Sequence, residues 1–129
     1  MRRVLGLQNK AGGFSVYLIQ KSFYFSASHC LRLQDQENKC ANLHGHNYTV
    51  TVAVQSDDLA NGMVVDCAEI TRTIDPILKR LDHSNLNDHF DWETTSENLA
   101  CWFYNKLLNL NPAWVEVTET PNIKARYWR

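Results

Sequence analysis

Several things are scarce in this sequence, and each scarcity excludes a class of protein. Charge excess is absent: 13 basic side chains face 14 acidic ones, for a formal net charge of −1. No block of like charge exceeds two residues, as at Arg2 and Arg3, so the electrostatic footprint expected of a nucleic-acid-binding protein is missing. No apolar run approaches the roughly 20 residues a membrane-spanning helix needs. At the N-terminus Arg2 and Arg3 precede Val4 and Leu5, but Gln8, Asn9 and Lys10 break the apolar stretch before it reaches signal-peptide length. A soluble, cytoplasmic protein is the expectation, with neither nucleic acid nor membrane as partner. Prolines are few and scattered, at Pro76, Pro112 and Pro121, and there is no Pro/Gly-rich linker, internal repeat or low-complexity tract. The 129 residues therefore read as one domain, 1–129. The four cysteines, Cys30, Cys40, Cys67 and Cys101, lack an export signal and sit in a chain that is 44% hydrophobic, so free thiols are expected rather than a disulfide scaffold.

Periodicity supplies the architecture. Residues 14–29 are rich in β-branched and aromatic types, and Phe23, Phe25 and Ala27 alternate with Ser22, Tyr24, Ser26 and Ser28, which predicts a strand bent or paired through its middle. From His46 to Val54, Tyr48, Val50, Val52 and Val54 share one face, with Thr49, Thr51 and Ala53 on the other, a second strand that should pair with the first. Asp66 and Glu69 form a capping-box pattern ahead of Ile70, Ile74, Ile77, Leu78 and Leu81 at helical spacing, with Pro76 expected to kink or interrupt the helix near Asp75. Thr94 and Glu97 repeat the pattern ahead of Leu99, Trp102, Phe103, Leu107 and Leu110. Trp114 to Thr118 and Ile123 to Trp128, separated by Pro121 and Asn122, read as a closing hairpin. The order is ββααββ, an α+β domain with a mainly antiparallel sheet.

Chemistry gathers in the stretch KCANLHGHNYTVTVAV. His44 and His46 are two residues apart at a strand start, so both imidazoles leave one face and could share a metal, although satisfied strand-end histidines would look the same. His29 ends the preceding strand, and antiparallel pairing would bring it beside them. Three neutral imidazoles with an open fourth position describe a catalytic zinc site better than a closed structural one. Cys40, four residues before His44, could close that shell or stand beside it as a free thiol with a lowered pKa. The other three cysteines read as small core residues. Asp82 and His83 adjoin at the expected end of the first helix, where a solvated helix end is the plainer reading. Glu119 follows Val115 and Val117 on the inward face and needs a partner there, either an amidine-like ligand edge or an ordinary salt bridge with Lys124 or Arg126.

Taken together, FSASH, C-x3-HGHNY, GMVVD, LDHSNLN, TSENLA and VTET resemble, in order and approximate spacing, the family of 6-pyruvoyl-tetrahydropterin and 6-carboxy-tetrahydropterin synthases, over about Val16 to Tyr127. The resemblance implies a tunnelling fold: a four-stranded antiparallel sheet with two helices on one face, three subunits closing a barrel and two trimers stacking. It implies Zn2+ on His29, His44 and His46, Cys40 as base, Asp82 and His83 as a proton relay with the cysteine, and Glu119 as the anchor of a pterin triphosphate substrate. Thr95 and Ser96 become further substrate contacts, commonly contributed by a neighbouring subunit. The spacing C-x3-HGH is similar to that of the carboxy-forming branch rather than the C-x5-HGH of pyruvoyl synthases, and a third, aldolase-like subgroup carries glutamate where Cys40 stands. Cys30 departs from the pattern, since a second thiol beside His29 could compete as a ligand. Two other classes remain as readings: a non-catalytic zinc-stabilised domain in which Cys40 closes the shell, and a pterin-binding scaffold without activity.

Overall fold

The computed structural model describes residues 16–129. Its central feature is a long antiparallel pair, β1 (Tyr17–His29) and β2 (His44–Ser56), in register from Tyr17 opposite Ser56 to His29 opposite His44. β1 is unbroken, and Phe14 and Ser15 of the expected strand lie outside the described residues. The alternation expected from sequence is borne out: Phe23, Phe25, Ala27 and His29 are buried while Tyr24 is 75% exposed. Tyr48, Val50, Val52 and Val54 of β2 face the same way and are also buried.

Asp66 caps α1 (Cys67–Leu81) by accepting from the Ala68 amide at 2.9 Å. Pro76 does not interrupt it, contrary to the sequence expectation. Ile70, Ile74, Leu78 and Leu81 are all buried along one stripe that spans the proline, and burial at about 1.5–3 kcal/mol per side chain outweighs the single missing hydrogen bond. After α1 the chain turns at His83, whose φ of 57° is left-handed, into β3 (Ser84–Asn85), a two-residue strand parallel to β1 at Ala27 and Ser28. Nothing in the local pattern announces so short an element.

The cap of α2 (Ser96–Lys106) is Thr95, which accepts from the Asn98 amide at 3.2 Å, one residue later than expected. Thr94 is buried and committed elsewhere. Beyond α2 a 3-10 turn, Leu108–Leu110, carries the rest of the apolar stripe into β4 (Trp114–Thr120) and β5 (Ile123–Tyr127). The sheet order is β3-β1-β2-β4-β5, so four long antiparallel strands gain the short parallel β3 as a fifth. Leu99, Phe103, Ile70 and Ile74 close the core over Phe23, Phe25, Val50, Val52, Val115 and Val117, placing both helices on one face. The other face is polar: Ser22 bonds Thr51 at 2.8 Å, Ser26 bonds Asn47 at 2.7 Å, and the Arg126 guanidinium lies 3.6 Å from the Trp114 ring while pairing with Glu116. Among the described residues no helix is long and apolar enough to cross a membrane.

Candidate active site

The β1–β2 register builds the site. His29, the last residue of β1, stands opposite His44, the first of β2, and His46 follows opposite Ala27, whose single methyl leaves room for the rings. Ring centroids are 4.7 Å apart for His29 and His44, 5.2 Å for His29 and His46, and 4.8 Å for His44 and His46. One ring nitrogen from each lies within 4.8 Å of the others.

The tautomers follow from the outer partners. His29 Nδ1 is 3.0 Å from the Thr94 carbonyl and 2.9 Å from Thr94 Oγ1, and His44 Nδ1 is 2.6 Å from the Asn42 carbonyl. A carbonyl can only accept, so both Nδ1 atoms carry hydrogen, and in the neutral rings both Nε2 atoms present lone pairs. Yet these two Nε2 atoms face each other at 3.1 Å, with no proton to share. His46 Nε2 is buried without any partner. Two ligands about 2.05 Å from a tetrahedral zinc ion would be about 3.3 Å apart, so the facing acceptors and the orphaned third nitrogen fit a bound cation. Burial, then the neighbouring imidazoles His44 and His46, lowers the His29 pKa to about 4. Burial also lowers His46, against the opposing pull of Glu119. Neutral imidazoles are what metal ligation requires.

Neither thiol joins the group. Cys40 sits on the 3-10 turn Lys39–Ala41, its amide bonded to Asn38 Oδ1 at 2.9 Å and its carbonyl to the Leu31 amide at 2.7 Å. Cys30, the residue after β1, has its amide and carbonyl clamped by the Asn87 side chain at 2.8 and 3.0 Å. Among the described residues the group that could hold a metal consists of histidines alone.

Asp82 and His83 lie elsewhere. Asp82 Oδ1 accepts from the Ser26 amide at 2.9 Å, Oδ2 is 2.9 Å from His83 Nδ1, and the His83 amide donates to the Ser26 carbonyl at 2.6 Å. The Ser26 amide, then His83, holds the Asp82 carboxyl below its ordinary pKa. With Ser28, Gly45, His46 and Asn47, His83 lines an open depression of about 510 Å³. Among the described residues no hydrogen bond or ion pair joins His83 to Cys40.

Glu119 occupies a β-bulge, because the pairing slips between Thr118 opposite Lys124 and Thr120 opposite Ile123. Arg126 pairs with Glu116 rather than Glu119, and the salt bridge considered from sequence is not formed. The Glu119 charge instead acts on His46 and on Tyr48, whose buried hydroxyl has no partner and whose pKa burial, then Glu119, raises. Thr95 spends its hydroxyl on the α2 cap, whereas Ser96 is buried with an unpartnered hydroxyl. Sequence reasoning missed Tyr48 and Thr94. Tyr48 was accessible as the next inward residue after His46, while Thr94 was masked by an adjacent threonine equally able to cap.

A mainly antiparallel sheet with two helices on one face and three imidazoles converging at the end of its longest strand pair defines an α+β protein of the tunnelling-fold type with a histidine group that could hold a metal. The family model described as "6-pyruvoyl tetrahydropterin synthase" matches residues 18–129, and the chain belongs to that family. It is 39% identical over 123 residues to a 6-carboxy-5,6,7,8-tetrahydropterin synthase of Synechocystis, covering 88% of this chain and 94% of the relative. It is 37% identical over 124 residues to the human 6-pyruvoyl tetrahydrobiopterin synthase, covering 81% and 86%. The solved 6-pyruvoyl tetrahydropterin synthase of Caenorhabditis elegans superposes with a TM-score of 0.79 at 29% identity, covering 90% of this chain and 97% of that one.

Proposed function

We propose that this protein is a zinc-dependent, cytoplasmic 6-carboxy-tetrahydropterin synthase, converting 7,8-dihydroneopterin triphosphate and water to 6-carboxy-5,6,7,8-tetrahydropterin, acetaldehyde and triphosphate, the chemistry of queuosine biosynthesis. The observation that carries the reading is the group of three histidines with two facing Nε2 acceptors and a third left without a partner, beside the bulged Glu119. The Synechocystis relative supports the carboxy product, as does the three-residue spacing between Cys40 and His44.

His29, His44 and His46 would hold the ion, and when bound it supplies Lewis acidity toward the vicinal hydroxyls of the substrate side chain. Glu119 would accept the paired N–H donors of the pterin amino and N3 edge in a bidentate contact. Thr95 and Ser96 would bound the ring, Ser96 with the hydroxyl that lacks a partner in the protein alone. Cys40 removes the carbon-bound proton as thiolate, and His83, oriented by Asp82 Oδ2, passes protons to and from the side chain. Among the described residues no hydrogen bond joins Cys40 to His83, and the reading includes a homo-oligomer, a trimer or a dimer of trimers, in which a second copy supplies the missing member.

The test is product analysis by mass spectrometry after anaerobic incubation of the zinc-loaded protein with 7,8-dihydroneopterin triphosphate, with acetaldehyde trapped as a hydrazone. Carboxy-tetrahydropterin with acetaldehyde is expected. Pyruvoyl-tetrahydropterin without acetaldehyde would assign the chain to the chemistry of its human relative instead, and unchanged substrate would remove the enzymatic reading.

A further inference from the structure

The three imidazoles differ in what orients them. His44 Nδ1 is held from its own loop by Asn42, and His46 Nε2 has no partner. Among the described residues only His29 is gripped from outside the β1–β2 hairpin, by Thr94, 65 positions along the chain. Thr94 is fully buried, and both of its oxygens, carbonyl and hydroxyl, lie within 3.0 Å of the same nitrogen.

Thr94 is itself held on both sides. The Glu93 carboxylate accepts from the Arg32 amide at 2.6 Å and the Leu33 amide at 3.2 Å, so it straps down the loop that follows His29. The Glu93 carbonyl takes the Asn98 side-chain amide at 2.9 Å, and Thr95 caps α2 on the Asn98 backbone amide. The residue that orients the imidazole is therefore built into the start of a helix, where its own backbone cannot drift.

We infer that Thr94 is a positioning residue of the metal site: its carbonyl and hydroxyl together fix the tautomer and ring direction of His29, and its place next to the α2 cap ties that direction to the segment of Thr95 and Ser96. The link to Thr95 and Ser96 as pterin contacts rests on the proposed function; the effect on the metal does not. A carbonyl alone would set the tautomer. The hydroxyl at 2.9 Å adds a second acceptor that confines the ring to one plane, which a ligand with a neighbouring acceptor at 3.1 Å needs.

The experiment uses the full chain, stripped with chelator and reloaded without any pterin. Thr94→Val keeps the shape and the carbonyl but removes the hydroxyl, and is expected to weaken zinc binding about tenfold in competition with a chromophoric chelator, the lower end of the range for outer partners of metal ligands. The cobalt-loaded variant should also show visible bands altered in position or intensity, which a general loss of packing would not produce. Thr94→Ser should bind zinc as the parent does. Parental affinity and spectrum in Thr94→Val would overturn the inference, as would Thr94→Ser weakening as much as Thr94→Val, since the lost methyl would then be responsible. If Thr94→Val does not fold, Glu93→Ala decides: freeing the strap should weaken zinc measurably, and unchanged affinity would overturn the inference. Because zinc is the only ligand measured, an inactive protein that behaves this way would sink the proposed reaction and leave Thr94 in its role.

Discussion

Cys40 and the three histidines should separate under substitution because the thiol stands outside the histidine group that could hold a metal. Cys40→Ala should keep zinc at the parental stoichiometry while turnover falls by at least about 10²-fold, the contribution of a positioned general base. Metal analysis beside steady-state product formation checks it, and joint loss of zinc and stability would mean that the thiol is a structural ligand. His29 offers a second test in the metal-free protein. Its pKa in the fold, about 4, lies below the 6.5 of a free imidazole, so the unfolded chain takes up the proton first as pH falls. Stability from this group is complete above pH 6.5 and is lost as pH drops through that window toward 4. Thermal melts of the stripped protein should show a declining midpoint across that interval, and His29→Gln should flatten the decline. An unchanged slope in the variant would mean that other groups control the acid limb.

At the level of elements, α1 shows where packing overrides local preference. Pro76 removes one intrahelical hydrogen bond yet lies within an unbroken helix, since Ile70 and Ile74 before it and Leu78 and Leu81 after it are all buried. Pro76→Ala should raise stability by about 1–2 kcal/mol, less than the roughly 3 kcal/mol helix-interior preference because proline also restricts the unfolded chain. Urea denaturation measures it, and a loss of stability would show that the ring itself is needed in the packing. The same contrast explains what could be read from sequence. β1 and β2 were legible because their buried faces repeat every second residue, and their antiparallel pairing alone brings His29 to His44. β3 was not, because a two-residue strand has no period and exists only where His83 bonds Ser26. The α2 cap was misplaced by one residue since Thr94 and Thr95 are equivalent in local chemistry and differ only in that one faces an imidazole from β1. The inward direction of Glu119 was legible from the valines before it, but the bulge that sets it was not, because a register slip belongs to two strands at once.

For the whole molecule the distribution of groups over the sheet is the governing fact. The three histidines converge at the end of the β1–β2 pair, Glu119 acts on one of them, His46, and His83 reaches that same residue through an open depression it lines with Ser26, Ser28, His46 and Asn47. Among the described residues β5 pairs only with β4. Open edges of this kind accept a strand from another chain. If the proposed base and proton relay belong to different copies, Cys40→Ala and His83→Ala proteins, each inactive alone, should complement when unfolded together and reassembled. In a random equal mixture, a site drawing its thiol from one subunit and its imidazole from the next is intact with a probability of about one quarter, so about a quarter of parental activity should return. A site contained within one chain can never be repaired by mixing, because every chain carries one of the two lesions. Activity that stays at the background of the separate variants, in a mixture shown by mass spectrometry to contain hybrid assemblies, would place both groups in one subunit and require the loop of Cys40 to move toward His83 on binding substrate.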